Sequence, residues 1–132
     1  MTIEIVEYLD ENDHSPFGAW FDRLPATAAA KVVVALNRIK RGLLGDVKSV
    51  RGGVSERRID FGSGYRIYFA SIKTGNVIQI VVLLGGGTKR RQNNDVEIAK
   101  NRWKKYKARR RKGENYGIDE KLSGNGSRAC TA

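Results

Sequence analysis

The sequence ERRIDFGSGYRIY, residues 56–68, decides the fold because it has the pattern of a β-hairpin. Polar and apolar side chains alternate on both sides of Gly62-Ser63-Gly64, and glycines readily adopt the positive φ angles of a three-residue hairpin loop. One face is then expected to lie against the core, and the other to collect charged side chains and a tyrosine. The predicted pairs are Phe61 with Tyr65, Ile59 with Ile67 and Arg57 with Phe69 on the first face, and Asp60 with Arg66 and Arg58 with Tyr68, with Glu56 beyond, on the second.

Upstream of the hairpin the sequence predicts a strand, two helices and a short strand. Residues 2–9 alternate as a strand does, and Ser15-Pro16 is a favourable helix start. A longer helix is predicted from Ala26 to about Leu43, ended by Gly45, and a strand follows at 48–51. The apolar side of this helix is predicted to be formed by Ala29, Val32, Val33, Leu36, Ile39 and Leu43.

Downstream of the hairpin a strand is predicted at 77–84, and Gly85-Gly86-Gly87 is expected to turn the chain. A last helix is predicted from about Asn94, an N-cap with Glu97 three residues on. Its apolar stripe is Val96, Ala99, Trp103 and Tyr106. With hairpin strands at 55–61 and 65–71, the order is β-α-α-β-β-β-β-α. This order predicts an α+β fold whose antiparallel sheet has its helices on one face.

Length and composition predict one domain. The chain has 132 residues, and residues 113–132 are rich in Gly, Ser and Asn, so the domain is expected to span 1–112 with a disordered tail. The single cysteine allows no disulfide within the chain, which suits a reducing compartment. There is no signal-like N-terminus and no apolar run long enough to cross a bilayer. A cytoplasmic protein with no membrane partner is expected.

The charge is concentrated in one segment. Residues 89–112 contain twelve Lys and Arg against two acids, Asp95 and Glu97, whereas the rest of the chain is nearly neutral. A local positive stripe on a small domain indicates a nucleic-acid partner. The alternative is a solvated helix face without a ligand.

The basic residues after the glycines are expected to meet the polar hairpin face. Lys89, Arg90, Arg91 and Gln92 would form a cationic phosphate-binding pocket with Arg66, although the hairpin charges could also be ordinary cross-strand ion pairs. The glycine run lacks the spacing of a P-loop. With one His and one Cys, no metal site, no cofactor and no Ser/His or Cys/His catalysis is expected.

Three segments together resemble the RelE/ParE toxin superfamily, and within it the phage-derived, HigB-like addiction module killer proteins. They are the hairpin 56–68, the sequence LLGGGTK at residues 83–89 and the basic last helix. The resemblance covers about residues 2–110. Departures from it are the absence of a tyrosine shortly after the basic turn and of a site histidine.

This resemblance implies the toxin component of a type II toxin–antitoxin system. Such a toxin cleaves mRNA in the translating ribosome and is held by a helix-turn-helix antitoxin. Arg58 and Arg66 match basic strand positions of the family, and Lys89, Arg90 and Arg91 match its basic turn.

A metal-independent cleavage mechanism gives each candidate a role. Arg58, Arg66, Lys89 and Arg90 would stabilise the charge on the phosphate, and the general base would be Asp60, a lysine or Tyr68. The remaining basic residues, with Gln92, would hold the RNA backbone: Arg91, Lys100, Arg102, Lys104, Lys105, Lys107, Arg109, Arg110 and Arg111. The rivals are a ParE-like inhibitor of DNA gyrase, an RNA- or ribosome-binding module without catalysis, and a degenerate toxin.

Overall fold

The computed structural model describes residues 2–75 and 78–112. The proposed tail at 113–132 lies outside the described residues. The element order is β1 (Thr2–Glu7), α1 (Pro16–Asp22), α2 (Ala26–Lys40), β2 (Val47–Ser49), β3 (Ser55–Ile59), β4 (Tyr65–Thr74), β5 (Ile78–Thr88), a short 3₁₀ helix (Lys89–Arg91) and α3 (Gln92–Arg111). The predicted α+β class and element order are confirmed.

The sheet is mixed, so the expectation of a purely antiparallel sheet was wrong. Its five strands lie in the order β1-β5-β4-β3-β2. Strands β2 to β5 are antiparallel neighbours, but β1 pairs with β5 in parallel, Thr2 opposite Ile78 and Glu7 opposite Leu83. The two helices between β1 and β2 carry the chain across the sheet, which permits this parallel pairing.

The hairpin register differs from the prediction by two residues. Ile59 pairs with Tyr65 and Arg58 with Arg66, so the loop comprises residues 60–64 instead of three glycine-rich residues. Within it, the Gly64 amide donates to the Phe61 carbonyl at 3.0 Å. Side chains alternate with period two, so a shift of two residues changes every partner but leaves each side chain on its predicted face. The predicted pair of Asp60 with Arg66 does not form.

Helices cover both faces of the sheet, contrary to the prediction of one covered face. On one face, α1 and α2 pack on Ile59, Ile67 and Phe69. On the other, Ala99 and Trp103 of α3 pack on Tyr68, Val82 and Leu84. The sheet is therefore the middle layer of three, and the polar hairpin face lies on the α3 side.

Local signals placed α1 correctly and α2 approximately. Ser15 caps α1, its hydroxyl accepting from the Gly18 amide at 2.9 Å. Helix α2 ends at Lys40, and Gly42, with φ of 83°, follows the last turn, so termination at Gly45 was wrong. The buried stripe of α2 is Ala28, Val32, Ala35, Leu36 and Ile39, whereas Val33 and Leu43 are exposed.

The three glycines extend β5 and do not turn the chain. Gly85, Gly86 and Gly87 pair with Tyr68, Ile67 and Arg66 of β4, and a bulge at Leu84 shifts the register just before them. Glycine is required here by close packing. A Cβ on Gly86 would lie 2.3 Å from the Trp20 ring, and one on Gly87 would meet the Asp95 carboxylate.

Substituting Gly86 with alanine is expected to lower the free energy of unfolding by about 1–3 kcal/mol, because the rigid Trp20 ring must move. Chemical denaturation measures this loss. Gly18→Ala is the control, since its nearest atoms lie 3.3 Å away at flexible side chains. Equal stability of Gly86→Ala and the native protein would show that the ring adapts without loss.

The last helix starts earlier than predicted. Lys89–Arg91 form a 3₁₀ turn and α3 begins at Gln92, with no side-chain cap at Arg91, so the capping box at Asn94 and Glu97 does not form. The predicted apolar stripe is confirmed, since Ala99 and Trp103 are buried and Val96 and Tyr106 pack beside them.

Candidate nucleic-acid interface

A buried polar cluster joins the hairpin to the start of α3. It consists of Glu56, Arg66 and Gln92. The Glu56 carboxylate is completely buried and accepts from Arg66 Nη1 at 2.5 Å and from Gln92 Nε2 at 2.9 Å. These two hydrogen bonds offset the free-energy cost of burying the charged carboxylate away from water. The cluster therefore fixes the first residue of α3, and the basic turn before it, against β3 and β4.

The two hairpin arginines lie in different environments. Arg66 is 8% exposed, and its guanidinium is engaged by Glu56. Arg58 lies at the surface, where its Nη2 donates to Asp46 at 2.9 Å, and this hydrogen bond lowers the pKa of the Asp46 carboxyl. Of the two, Arg58 is the one whose side chain is open to solvent.

The two hairpin candidates for a general base, Asp60 and Tyr68, also differ in their exposure to solvent. Asp60 is exposed on the 60–64 loop. Tyr68 is 1% exposed, and burial, followed by the charges of Glu56 and Asp95, raises the pKa of its hydroxyl. A hydroxyl with a raised pKa stays protonated at neutral pH, so it can donate a hydrogen bond but is not available as a general base.

The Tyr68 hydroxyl is buried without a hydrogen-bond partner in the described structure. Tyr68→Phe is accordingly expected to raise the free energy of unfolding by about 1 kcal/mol, because an unpaired buried hydroxyl is removed. Urea denaturation checks this, with Tyr106→Phe as the control, since the Arg110 charge acts on the Tyr106 hydroxyl and lowers its pKa against the effect of burial. A loss of stability in Tyr68→Phe would mean that the hydroxyl has a structural partner.

The basic turn, Lys89–Arg91, presents three exposed cations beside an open depression of about 380 Å³. Within residues 2–75 and 78–112, the depression is lined by these residues and by Gln92, Asn93 and Asn94, none of which is a carboxylate. The Lys89 amide donates to the Gly64 carbonyl at 3.1 Å, so the turn lies against the hairpin loop. The sequence predicted a pocket of these cations and Gln92 with Arg66. Lys89 contacts the hairpin loop, and Gln92 is joined to Arg66 through Glu56.

The cations of α3 differ in how far their side chains are exposed and in what they contact. Two are bound within the fold: Arg102 donates to the Leu84 carbonyl at 2.8 Å, and Arg109 donates twice to the Leu9 carbonyl at 3.0 Å, over the Tyr8 ring. Arg110 is partly buried beside Tyr106, and Lys100 forms a 3.6 Å ion pair with Glu97. The exposed group is Lys104, Lys105, Lys107 and Arg111, of which Lys105 lies 3.6 Å from Glu11 and Lys107 stands over the Trp103 ring.

A smaller pocket of about 130 Å³ lies where α1, β5 and α3 meet, with Trp20, Tyr68, Asp95 and Arg102 among its lining residues. Neither Trp20 nor Asp95 was predicted to be a site residue. Trp20 has the spacing of a core residue of α1, and the short sequence between Gly87 and Asp95 does not reveal that the two meet in space. The glycines themselves were the available signal, because three consecutive residues without Cβ leave room for neighbours.

Within residues 2–75 and 78–112, no group of three or more His, Cys, Asp or Glu side chains is placed to hold a metal ion. In the same ranges, no helix has both the length and the apolar character needed to cross a bilayer.

The fold and the basic turn define a small three-layer α+β protein with a concentrated cationic surface. A protein of Haemophilus influenzae (strain ATCC 51907 / DSM 11121 / KW20 / Rd), described as an uncharacterized protein, is 40% identical to this chain over 101 residues. The match covers 76% of the chain and 92% of the relative, so the chain belongs to the same family as this protein. No family model matches the chain. No solved structure matches it either.

Proposed function

We propose that the chain is a RelE/ParE-superfamily toxin of a type II toxin–antitoxin system that cleaves mRNA at the translating ribosome without a metal ion. The resemblance of the hairpin, the glycine segment and the basic helix motivates the proposal. The element order β-α-α-β-β-β-β-α is consistent with it.

The observation that carries the proposal is the basic turn. Lys89, Arg90 and Arg91 are consecutive, exposed and open to a depression that no carboxylate of the described residues lines. Guanidinium and ammonium groups attract phosphate strongly. None of the three side chains forms an ion pair with a described carboxylate, although the Arg91 charge acts on Asp95. The first turn of α3 adds the partial positive charge of a helix N-terminus at the same place.

Cleavage without a metal uses the RNA's own 2′-hydroxyl as nucleophile. The 2′-oxygen forms a bond to the adjacent phosphorus while the bond from phosphorus to the 5′-oxygen breaks, leaving a 2′,3′-cyclic phosphate and a 5′-hydroxyl end. A base takes the 2′-hydroxyl proton, and the departing 5′-oxygen gains one. Negative charge on the phosphorane oxygens is stabilised by fixed cations, which here are Lys89 and Arg90.

The other candidates take secondary roles in this scheme. Asp60 is the proposed base, because it is exposed on the loop that touches the basic turn. Arg58, whose side chain is open to solvent, contacts the RNA backbone. Arg66 is a positioning residue, since it holds Glu56 and through it Gln92.

The exposed cations of α3 are proposed to hold the RNA backbone. Replacing Lys104 and Lys107 with alanine should lower RNA affinity and reduce the dependence of log K on log salt by roughly one for each phosphate that the protein no longer binds. Filter binding at several salt concentrations measures the slope. Lys40→Ala with Lys48→Ala removes two exposed cations elsewhere. If that control pair changed the slope equally, total charge and not α3 would govern binding.

A second candidate, an RNA-binding module without cleavage, is favoured by one observation. Arg66 and Tyr68, two of the predicted catalytic side chains, are buried. In that case the same basic surface binds RNA and no bond is broken.

Incubating the purified chain with translating ribosomes and mRNA separates the candidates. The toxin proposal predicts mRNA fragments with 5′-hydroxyl ends. Binding without fragments would support the RNA-binding module, and inhibition of gyrase supercoiling without fragments would support a ParE-like inhibitor. Growth arrest on induction, relieved by coexpression of an adjacently encoded helix-turn-helix protein, tests the antitoxin partner.

A further inference from the structure

Two aromatic side chains lie at the hairpin loop, Phe61 within it and Tyr65 directly after it. Their ring centroids are 6.4 Å apart and the ring planes differ by 26°, so the rings are stacked. Both side chains pack against the core cluster under α1 and α2, and both are partly exposed. Part of each side chain therefore remains accessible to a ligand.

The other residues at the tip of the loop have little side chain with which to cover these rings. Gly62 and Gly64 have positive φ angles of 58° and 88°, and Ser63 between them is exposed. A side chain at position 62 would begin 3.7 Å from Cε2 of Tyr65. Glycine at this position therefore keeps that edge of the ring clear.

Cations from two other elements lie next to the aromatic pair. The Nζ of Lys31, on α2, is 5.3 Å from the centroid of the Phe61 ring. Lys89 of the basic turn donates its amide to the carbonyl of Gly64, the residue before Tyr65, at 3.1 Å. Within residues 2–75 and 78–112, neither lysine forms an ion pair. Two lysines without carboxylate partners thus adjoin partly exposed aromatic rings.

This combination suits a nucleotide with an unpaired base. The base stacks on the rings and the flanking phosphates pair with the cations. Lys31 is exposed and its side chain is long, so its ammonium group can move from the Phe61 ring to a phosphate. Bases within a duplex are already stacked on one another, so only an unpaired base is free to stack on a protein ring.

We propose that Phe61 and Tyr65 form an aromatic platform that stacks one unpaired base of the RNA substrate next to the phosphate held by Lys89. The inference rests on the proposed function and adds a contact that does not depend on charge. The stacked nucleotide lies beside the loop that carries Asp60, the proposed base of the reaction. Because every nucleobase has an aromatic face, the platform selects unpaired RNA without selecting a sequence.

Binding of a short single-stranded 2′-O-methyl RNA to the full chain tests the platform, because the blocked 2′-oxygen prevents cleavage. The matched ligand is an oligomer with the same sugars and phosphates but no bases. Fluorescence anisotropy should show that the native chain binds the RNA with bases about tenfold or more tightly than the abasic oligomer.

Variants of the two rings identify where the bases bind. Changing Phe61 and Tyr65 together to leucine keeps apolar contact with the core and should bring the affinity ratio close to one. Exchanging the two residues, Phe61→Tyr with Tyr65→Phe, keeps both rings and should keep the ratio. Phe21→Leu removes a partly buried aromatic ring of α1 from the same core and should also keep it.

Equal affinity of the native chain for the two oligomers would overturn the proposal. So would an unchanged ratio in the double leucine variant, which would mean that the rings only cover the core. Thermal unfolding verifies that each variant is folded. If the double variant does not fold, Tyr65→Leu alone makes the comparison and should lower the ratio severalfold.

An mRNA cleavage assay with the native chain separates this inference from the proposed function. Cleavage by a chain that binds both oligomers equally would refute the platform and leave the nuclease standing. Absence of cleavage, together with base-dependent binding that the double leucine variant loses, would refute the nuclease and retain the platform.

Discussion

A variant with Lys89, Arg90 and Arg91 all changed to alanine is expected to lose mRNA cleavage by roughly 10²–10³-fold or more, and with it growth arrest. Removing a single hydrogen-bond donor to a developing oxyanion typically lowers the rate by about 10²–10³-fold. The triple change also removes the cations that attract the phosphate. None of the three side chains makes a hydrogen bond or ion pair within the described structure, so the fold should be retained. A cleavage assay with purified protein measures the loss, and the melting temperature verifies folding.

The matched control removes three cations from the end of α2, which also lie at the surface. Arg38, Lys40 and Arg41 changed to alanine give the same change in net charge in a different element of the fold. Cleavage by this control should stay near the native rate. If both triple variants lost activity equally, long-range attraction by total charge would explain RNA binding. If the basic-turn variant stayed fully active, the turn would not belong to the chemical site.

Breaking the buried ion pair is expected to have the largest effect on stability. Arg66→Met leaves the Glu56 carboxylate buried without its cation, and removing one partner of such a pair typically costs about 3–5 kcal/mol. For a domain of this length the melting temperature should fall by roughly 10–20 °C. Thermal unfolding monitored by circular dichroism measures this.

Two further variants identify the cause of that loss. The double variant Glu56→Leu with Arg66→Met removes both charges and should recover much of the stability, because an apolar pair of similar volume can replace a buried ion pair. Arg58→Met breaks an exposed pair with Asp46 and should change stability by less than about 1 kcal/mol. If Arg66→Met lowered the free energy of unfolding as little as Arg58→Met, water would have to reach Glu56 and solvate its carboxylate.

The sequence allowed the element order and the faces of the hairpin to be predicted, because both depend on short-range patterns. Ser15-Pro16 marked the start of α1, and alternation placed Ile59 and Ile67 on the same side. The parallel pairing of β1 with β5 joins residues 76 positions apart, and no local pattern specifies it. The glycines suggested a turn, but their role in β5 depends on Trp20, a residue of α1.

The composition of the candidate site was predicted better than its arrangement. The sequence predicted that the basic turn lies near the hairpin. In the structure, Lys89 lies against Gly64 of the hairpin loop. The sequence also placed Arg66 and Tyr68 on the polar face, where α3 and Gln92 cover them. Helix α3 packs on this face because of Ala99 and Trp103, so the burial of the polar side chains depends on a tertiary contact. Patterns within the hairpin alone could not reveal it.

The parallel pairing of β1 with β5 also sets the order in which the chain can fold during synthesis. The partner of β1 is made near the end of the domain, so the first strand leaves the ribosome long before its neighbour exists. Contacts between distant parts of a chain form late and slow the folding of a domain. The basic turn follows β5 directly, and it acquires its supporting sheet at the same late stage. A nascent chain of this protein therefore has no assembled basic turn beside the hairpin loop while the ribosome is still translating it through β5.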